Sequence, residues 1–397
     1  MQRRLDTATR FVVLLGLISL FSDLTYEAAR SINGSFLQIL GTSGATVGLV
    51  AGLGELTGYG LRIVSGYLAD KTKKYWIILI AGYSLNLFSV PLMALAGYWQ
   101  LAIILMITER IGKAIRSPAR DALLSFGTGK MGRGWGYALH EAMDQIGATI
   151  GPLLVSAVLF WQHENYRMAY ALLTLPAIIA VSILLYCRRL YPEPENLEVK
   201  TISASTQGFN KKYWIYVLAA AFIAAGYADF PLIAYHFKAN SITSDSLIPI
   251  FYSVAMATDA VSALIFGRMF DKTGIKALLA AVFMSAFFAP MVFMGNVNWA
   301  FGGMILWGIG MGAQESILKA EIAEMTPSEK RGTAFGTFNS VFGLAWFAGS
   351  ALMGTLYDIS IGWLVVFSMT AQLIAAFVIY YLIQRNKLRS SPQTLKS

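Results

Sequence analysis

Gly66-Tyr67-Leu68-Ala69-Asp70-Lys71-Thr72-Lys73-Lys74 and Gly267-Arg268-Met269-Phe270-Asp271-Lys272-Thr273-Gly274-Ile275-Lys276 are two copies of one loop. Their aspartates lie 271 − 70 = 201 residues apart. A second echo pairs Arg133-Gly134-Trp135-Gly136-Tyr137 with Arg331-Gly332-Thr333-Ala334-Phe335-Gly336, at an offset of 331 − 133 = 198. Nearly equal offsets mean that the chain is built from two structural repeats of about 200 residues.

Each copy of the loop lies between long apolar runs. Of 397 residues, 56% are hydrophobic and 13% charged, whereas a soluble domain carries about 25% charged residues. The composition is that of a polytopic membrane protein. A spanning helix needs about 20 apolar residues. Twelve stretches qualify, near 11–38, 46–69, 75–97, 100–122, 134–160, 166–187, 213–237, 247–268, 276–295, 298–322, 332–356 and 361–384. The runs are too long and too evenly apolar for barrel strands. The polar segment 188–212, with Pro192, Glu193, Pro194 and Glu195, divides them six and six. The expected domains are a bundle over 1–187, a cytoplasmic linker over 188–212, a second bundle over 213–384 and a tail over 385–397.

Lys and Arg set the orientation. With the N-terminus inside, 21 of them fall in inside segments and two, Arg167 and Lys238, outside. Both termini are therefore expected in the cytoplasm, in a multi-pass protein of the cytoplasmic membrane. The net charge of +9 is a topology signal and a contact for anionic lipid heads rather than a nucleic-acid surface. The basic N-terminus lacks a small-residue cleavage site, so the first apolar segment is expected to be retained. One cysteine, Cys187, and three histidines, His140, His163 and His236, show no metal-ligand spacing, and no cofactor is expected. A phosphate-binding Gly-x-x-x-x-Gly-Lys-Ser/Thr loop is absent from the sequence, which argues against a nucleotide-driven pump. His140, Glu141 and Asp144 are the best enzyme-like cluster, but no serine or metal constellation accompanies them, so an enzyme is not expected. Asn33-Gly34-Ser35 is a formal glycosylation sequon at a membrane edge and is read as chance.

The repeated loop resembles the signature of the major facilitator superfamily, Gly-x-x-x-Asp-Arg/Lys-x-Gly-Arg/Lys-Arg/Lys. The resemblance implies an all-α fold of twelve transmembrane helices in two six-helix repeats, working by alternating access. It implies gating roles for Gly66, Asp70 and Lys74, and for Gly267, Asp271 and Lys276 in the second copy. The first copy departs from the pattern, with Lys73 in place of Gly, so its turn need not be the usual one. Arg110, in Glu109-Arg110-Ile111-Gly112-Lys113, is similar to the arginine of a second superfamily motif linked to proton transfer. Gly147-Ala148-Thr149-Ile150-Gly151-Pro152 resembles the core of the drug/proton antiporter motif, with Val155 and Ser156 where that motif has glycines. Gly147 and Gly151 equally suit a small-xxx-small packing face.

The first span carries Asp23, Tyr26, Glu27 and Arg30 on one helical stripe. Intramembrane charges usually face a protein interior or a water-filled path. Counting about 1.5 Å per residue from the apolar edges brings Asp23, Glu27, Glu55, Arg110 and Asp144 to a common depth, with Asp229 somewhat higher. These residues and Tyr26 are the expected substrate and proton pathway, Asp23 and Glu27 carrying the coupling with Arg110 as partner. Arg30 is left as an outer-gate or structural residue. In the superfamily the first, fourth, seventh and tenth helices line the cavity, which adds Glu315. Arg116 and Glu315 are repeat-equivalent, 315 − 116 = 199, and are expected to bridge as an inner gate. The functional expectation is a monomeric, proton-coupled secondary transporter of a small molecule or ion, with efflux by antiport one direction. A divalent-metal or metal-chelate exporter and a non-transporting membrane sensor or receptor are the alternatives.

Overall fold

The computed structural model describes residues 2–131, 133–193, 211–326 and 331–390. The side chains of a few helix residues, among them Asp70, Arg133, Gly134, Trp135 and Arg331, lie outside that description, which takes in most of the second echo.

The described residues are almost entirely helical. In chain order the helices are α1 (Gln2–Ile39), α2 (Gly44–Thr72), α3 (Tyr75–Leu92), α4 (Trp99–Met131), α5 (Arg133–Trp161), α6 (Tyr166–Leu172), α7 (Thr174–Leu190), α8 (Lys211–Ala225), α9 (Phe230–Ala239), α10 (Ile248–Thr273), α11 (Lys276–Ser285), α12 (Phe288–Phe293), α13 (Val297–Met325), α14 (Arg331–Ile359) and α15 (Ile361–Ser390). Three spans are each made of two helices: α6 with α7, α8 with α9, and α11 with α12. Counted that way, the expected twelve spans are present. Ten are long and apolar enough to cross a membrane by length and composition. The other two are α4, which carries charged residues from Glu109 to Asp121, and its repeat counterpart α13, rich in glycine and bearing Glu315 and Lys319.

The breaks follow from proline chemistry. Proline has no N–H, so the carbonyl four residues earlier loses its helical partner. Counting back from Pro176, Pro231 and Pro290 gives Leu172, Tyr227 and Ala286, each at a break. Inside a bilayer the freed carbonyls need other donors. In the seventh span Gln372 Nε2 donates to Ile223 O at 3.0 Å. Ser368 Oγ donates to Gly226 O at 2.7 Å, and Trp307 Nε1 to Ala228 O at 2.9 Å.

Two compact units result. One comprises Met1–Ile202 with Asp229–Ala257, the other Ser203–Ala228 with Thr258–Ser397. The seventh span is thus shared at its break, α8 in the second unit and α9 in the first.

Lipid is as apolar as leucine, so helices in a membrane associate by close packing of small residues rather than by hydrophobic burial. The first unit shows this at two crossings. A Cβ on Gly147 would lie 2.3 Å from Leu20 O, and one on Gly151 2.5 Å from Leu24 O, which sets α5 directly on α1. A Cβ on Gly112 would lie 2.3 Å from Asn86 N, which sets α4 on α3. Gly147 and Gly151 are therefore a packing face. On the far part of α1, Gly34 seats Pro231 of α9, Ser35 Oγ donates to Ala234 O at 3.1 Å, and Tyr235 OH donates to Thr42 O at 3.0 Å. Asn33 is half-buried, and its Oδ1 accepts from Tyr170 OH of α6 at 2.8 Å.

The repeated loop keeps its usual turn in spite of Lys73. Lys73 closes α2 in the left-handed region, with φ 55°, and its N–H donates to Ala69 O at 2.8 Å. Gly274, its counterpart at 274 − 73 = 201, has φ 59°, and its N–H donates to Phe270 O at 2.7 Å. The departure from the pattern therefore leaves the turn unchanged: the helix-capping hydrogen bond imposes the conformation on lysine. Left-handed backbone costs an L-residue about 1–2 kcal/mol, against roughly 0.5–1 kcal/mol of unfolded-chain entropy for glycine. Lys73→Gly is expected to stabilise the protein by up to about 1 kcal/mol on these figures, and Gly274→Lys to destabilise it. Melting in detergent followed by tryptophan fluorescence checks both.

Candidate functional site

The buried charges of the first unit form a ladder between two antiparallel helices. On α1 the positions are Ser19, Asp23, Glu27 and Arg30; on α4 they are Arg120, Arg116, Lys113 and Arg110. Both sets step by three or four residues, so each lies on one face of its helix.

At one end, Arg120 Nη1 donates to Ser19 Oγ at 3.4 Å and lies 3.6 Å from Asp144 Oδ2 of α5. His140, one turn before Asp144, brings Nδ1 to 3.5 Å from the same oxygen. The next rung is Arg116 Nη2 with Asp23 Oδ1 at 3.9 Å. Arg116 is fully buried, its guanidinium carbon 4.4 Å from the Tyr83 ring centre and 5.6 Å from that of Tyr26. The third rung is Lys113 Nζ with Glu27 Oε1 at 3.8 Å, the ammonium lying 4.0 Å from the Tyr26 ring centre. Glu27 Oε2 also accepts from Tyr252 OH of α10.

At the far end two guanidinium groups meet one carboxylate. Arg30 Nη2 lies 3.2 Å from Glu55 Oε1, and Arg110 Nη2 lies 3.6 Å from the same atom. Arg30 Nη2 also reaches Asp229 Oδ1 at 3.4 Å, and its Nη1 stands 3.9 Å from Glu27. Asp229 caps α9 at the break of the seventh span. Arg110 Nε contacts Glu109 Oε2 at 3.4 Å, and Asn86 Nδ2 donates to Glu109 Oε1 at 2.6 Å. Beside this end lies a small open-mouthed cleft of about 10 Å³, room for one water molecule. Its lining includes Tyr26, Arg30, Asn33, Ser89, Glu109 and Arg110, with Val90, Met93, Leu105 and Met106 completing an apolar wall.

Six carboxyl groups held away from solvent (Asp23, Glu27, Glu55, Glu109, Asp144 and Asp229) are thus interleaved with five cations (Arg30, Arg110, Lys113, Arg116 and Arg120), and a seventh, the exposed Asp121, lies 3.0 Å from Arg120 Nη2. Isolated charges so placed would each be very costly; paired ones persist. From Ser19 to Arg30 the ladder runs 11 residues, about 16 Å of helix.

Of the residues expected to line a pathway, Asp23, Tyr26, Glu27, Glu55, Arg110, Asp144 and Asp229 belong to this one network, whereas Glu315 lies on α13 of the second unit. The pairing within it differs from expectation. Asp23 meets Arg116 and Glu27 meets Lys113, while Arg110 goes to Glu55 and Glu109. The apolar edges of α1 and α4 are no common datum for depth, because both helices run well past them. Arg30, expected as an outer-gate or structural residue, touches the most carboxylates, Glu27, Glu55 and Asp229. Lys113 and Arg120 continue a helical stripe that was legible in the sequence. Tyr252 gave no such signal, being one tyrosine among 19.

The expected gate residues are more dispersed. Gly66 faces Pro118 of α4, and Gly267 faces Ser316 of α13. These contacts are repeat-equivalent, since 267 − 66 = 201 and 316 − 118 = 198. Asp70 lies in α2, its side chain outside the described residues. Lys74, Asp271 and Lys276 are exposed. Arg116 is buried in the first unit, and Glu315 is exposed on α13 in the second.

Comparison with known proteins agrees with this architecture. The model of the Major Facilitator Superfamily matches residues 15–350 and 230–396. An uncharacterized protein of Mycobacterium tuberculosis (strain H37Rv) is 39% identical over 380 residues, covering 94% of this chain and 93% of its own. The multidrug resistance protein MdtH of Proteus mirabilis is 34% identical over 129 residues, 32% of each chain. Among solved structures, a bacterial homologue of the human lysosomal transporter Spinster superposes with a TM-score of 0.77, at 15% identity over 97% of this chain and 99% of that one. The repeated loop, the twelve spans and the full-length match lead to one conclusion: the chain belongs to the Major Facilitator Superfamily of transporters.

Proposed function

We propose that the protein is a proton-coupled secondary transporter that exports a small solute by alternating access, its two six-helix halves, 1–187 and 213–384, rocking about the membrane plane. The observation that carries this reading is the ladder of six carboxyl groups against five cations. Apart from the solvent-exposed Asp121, the network has one acid more than bases and is neutral when it holds one proton, and moving a cation from one rung to another changes which carboxyl group holds it. Asp23 and Glu27 suit that role. Each is buried and shares its cation with the Tyr26 ring. The efflux direction rests on the likeness to MdtH, which covers a third of the chain. Five cations threaded through the network oppose a divalent metal, so no observation favours the metal-export alternative.

Inside-out vesicles acidified by respiration, with a pH-sensitive dye, test the coupling. Addition of a transported solute is expected to dissipate the acid interior when the wild-type protein is present. Asp23→Asn and Glu27→Gln, which fix the uncharged state, are expected to reduce that proton flux at least tenfold while downhill solute exchange continues. Solute flux insensitive to the pH gradient would sink the coupling.

A further inference from the structure

The corner of the first unit where α1, α3 and α7 meet carries a further inference, which does not depend on the transport reading. Three aromatic residues tie these helix ends together. Trp76 Nε1, in the first turn of α3, donates to Tyr191 O, just past α7, at 3.0 Å. Tyr191 OH donates to Thr7 O of α1 at 3.3 Å. The Phe11 ring centre lies 5.0 Å from that of Tyr191 and 6.4 Å from that of Trp76. The tie fixes the cations beside it. Arg10 precedes Phe11, Lys74 comes shortly before Trp76, and Arg188 and Arg189 shortly before Tyr191; all four are exposed. Lys73 has a neighbour of its own, its Nζ 3.4 Å from Tyr75 OH. Among the described side chains, the one acid within four residues of the four cations is Glu193. Next to the cations on α3 and α7, Ile77 and Tyr186 are 57% and 56% exposed. The second half does not repeat the tie: at the loop's offset of 201 residues, Ala277 stands where the first half has Trp76.

We infer that this corner binds an anionic phospholipid with two phosphate groups, of the cardiolipin type. The phosphates lie against Arg10, Lys74, Arg188 and Arg189, and the acyl chains run along Ile77 and Tyr186. Complementary charge argues for that occupant. Guanidinium and ammonium groups make charge-assisted hydrogen bonds to phosphate oxygens, and each Lys or Arg near an anionic membrane surface adds roughly fivefold in affinity. Four cations against Glu193 leave 4 − 1 = 3 positive charges, which two phosphates offset better than one. A general excess of Lys and Arg attracts any anionic lipid loosely. Here the aromatic tie holds cations from three helix ends in one place, which makes a site of them.

Native mass spectrometry of the purified, delipidated full-length protein in detergent, titrated with tetraoleoyl cardiolipin, dioleoyl phosphatidylglycerol and dioleoyl phosphatidylcholine, tests the site. Cardiolipin is expected to bind at least tenfold tighter than phosphatidylglycerol, and phosphatidylcholine more weakly still. Lys74→Gln with Arg188→Gln is expected to weaken cardiolipin at least tenfold, while phosphatidylcholine is unaffected. Arg268→Gln with Lys272→Gln removes the same charge from exposed positions of the second unit and is expected to change cardiolipin affinity less than twofold. Melting without lipid reports whether the variants fold, and the single changes Lys74→Gln and Arg10→Gln, each expected to cost about fivefold, serve where the double variant does not. The inference is overturned if cardiolipin binds no tighter than phosphatidylcholine, or if the variants at the corner leave its affinity unchanged. It is equally overturned if the pair in the second unit weakens cardiolipin as much as the pair at the corner, since bulk charge then explains the binding. Equal affinity for phosphatidylglycerol overturns the requirement for two phosphates.

Discussion

Gly147→Leu is expected to abolish folded protein in the membrane, and Gly147→Ala to lower its stability by about 1–3 kcal/mol, the usual range for overpacking. Even the alanine methyl would stand 2.3 Å from Leu20 O and 3.0 Å from Leu24 N. Those are backbone atoms of α1, so no side-chain rotation relieves the contact. The helices have to move apart, and close helix approach is a main source of attraction between spans. The displacement also reaches the charges, because α5 carries Asp144 to Arg120 and a Cβ at Gly147 would lie 3.1 Å from Asp23 Cβ. Gly151→Ala, whose methyl would be 2.5 Å from Leu24 O, is expected to behave alike. Gly60→Ala is the control. Its methyl meets nothing within 4 Å, and alanine gains about 1 kcal/mol of helix propensity over glycine. Yield of a fluorescent fusion after size-exclusion chromatography, with melting in detergent, ranks the four. Wild-type behaviour of Gly147→Leu would refute the crossing.

Arg116→Met is expected to destabilise the protein by about 3–5 kcal/mol, the range for breaking one side of a buried ion pair. Arg116 is 0% exposed, and the Asp23 carboxylate would be left buried without its cation. The methionine also gives up the contacts of the guanidinium with the Tyr83 and Tyr26 rings, each worth roughly 0.5–2 kcal/mol. Adding Asp23→Asn to Arg116→Met removes the stranded charge, so the double variant is expected to melt above Arg116→Met alone. Full recovery is not expected, because the ring contacts stay lost. Arg116→Lys keeps the charge but not the plane that stacks on Tyr83, and is expected to fall between. A double variant no more stable than Arg116→Met would show that Asp23 and Arg116 are not energetically coupled.

The loops at Asp70 and Asp271, 201 residues apart, and the apolar runs around them were enough to specify twelve spans in two repeats. A membrane restricts the chain to spanning helices or closed barrels, and the runs suit only helices. The stripe Asp23, Tyr26, Glu27, Arg30 and the run from Glu109 to Arg120 also announced a charged interface, because helical period alone places them on single faces. What each charge touches was decided only by the packed structure. Pairing Asp23 with Arg116 rather than Arg110 is a shift of six residues along α4, and that register depends on how far α1 and α4 extend and where Gly112, Gly147 and Gly151 let the helices approach. The part played by Arg30 was hidden for the same reason. Its partners Glu55 and Asp229 come from two other helices, one of them starting at a break that Pro231 creates. Composition and period determine which faces are polar; the contacts across those faces are long-range, and only the tertiary arrangement brings them within reach.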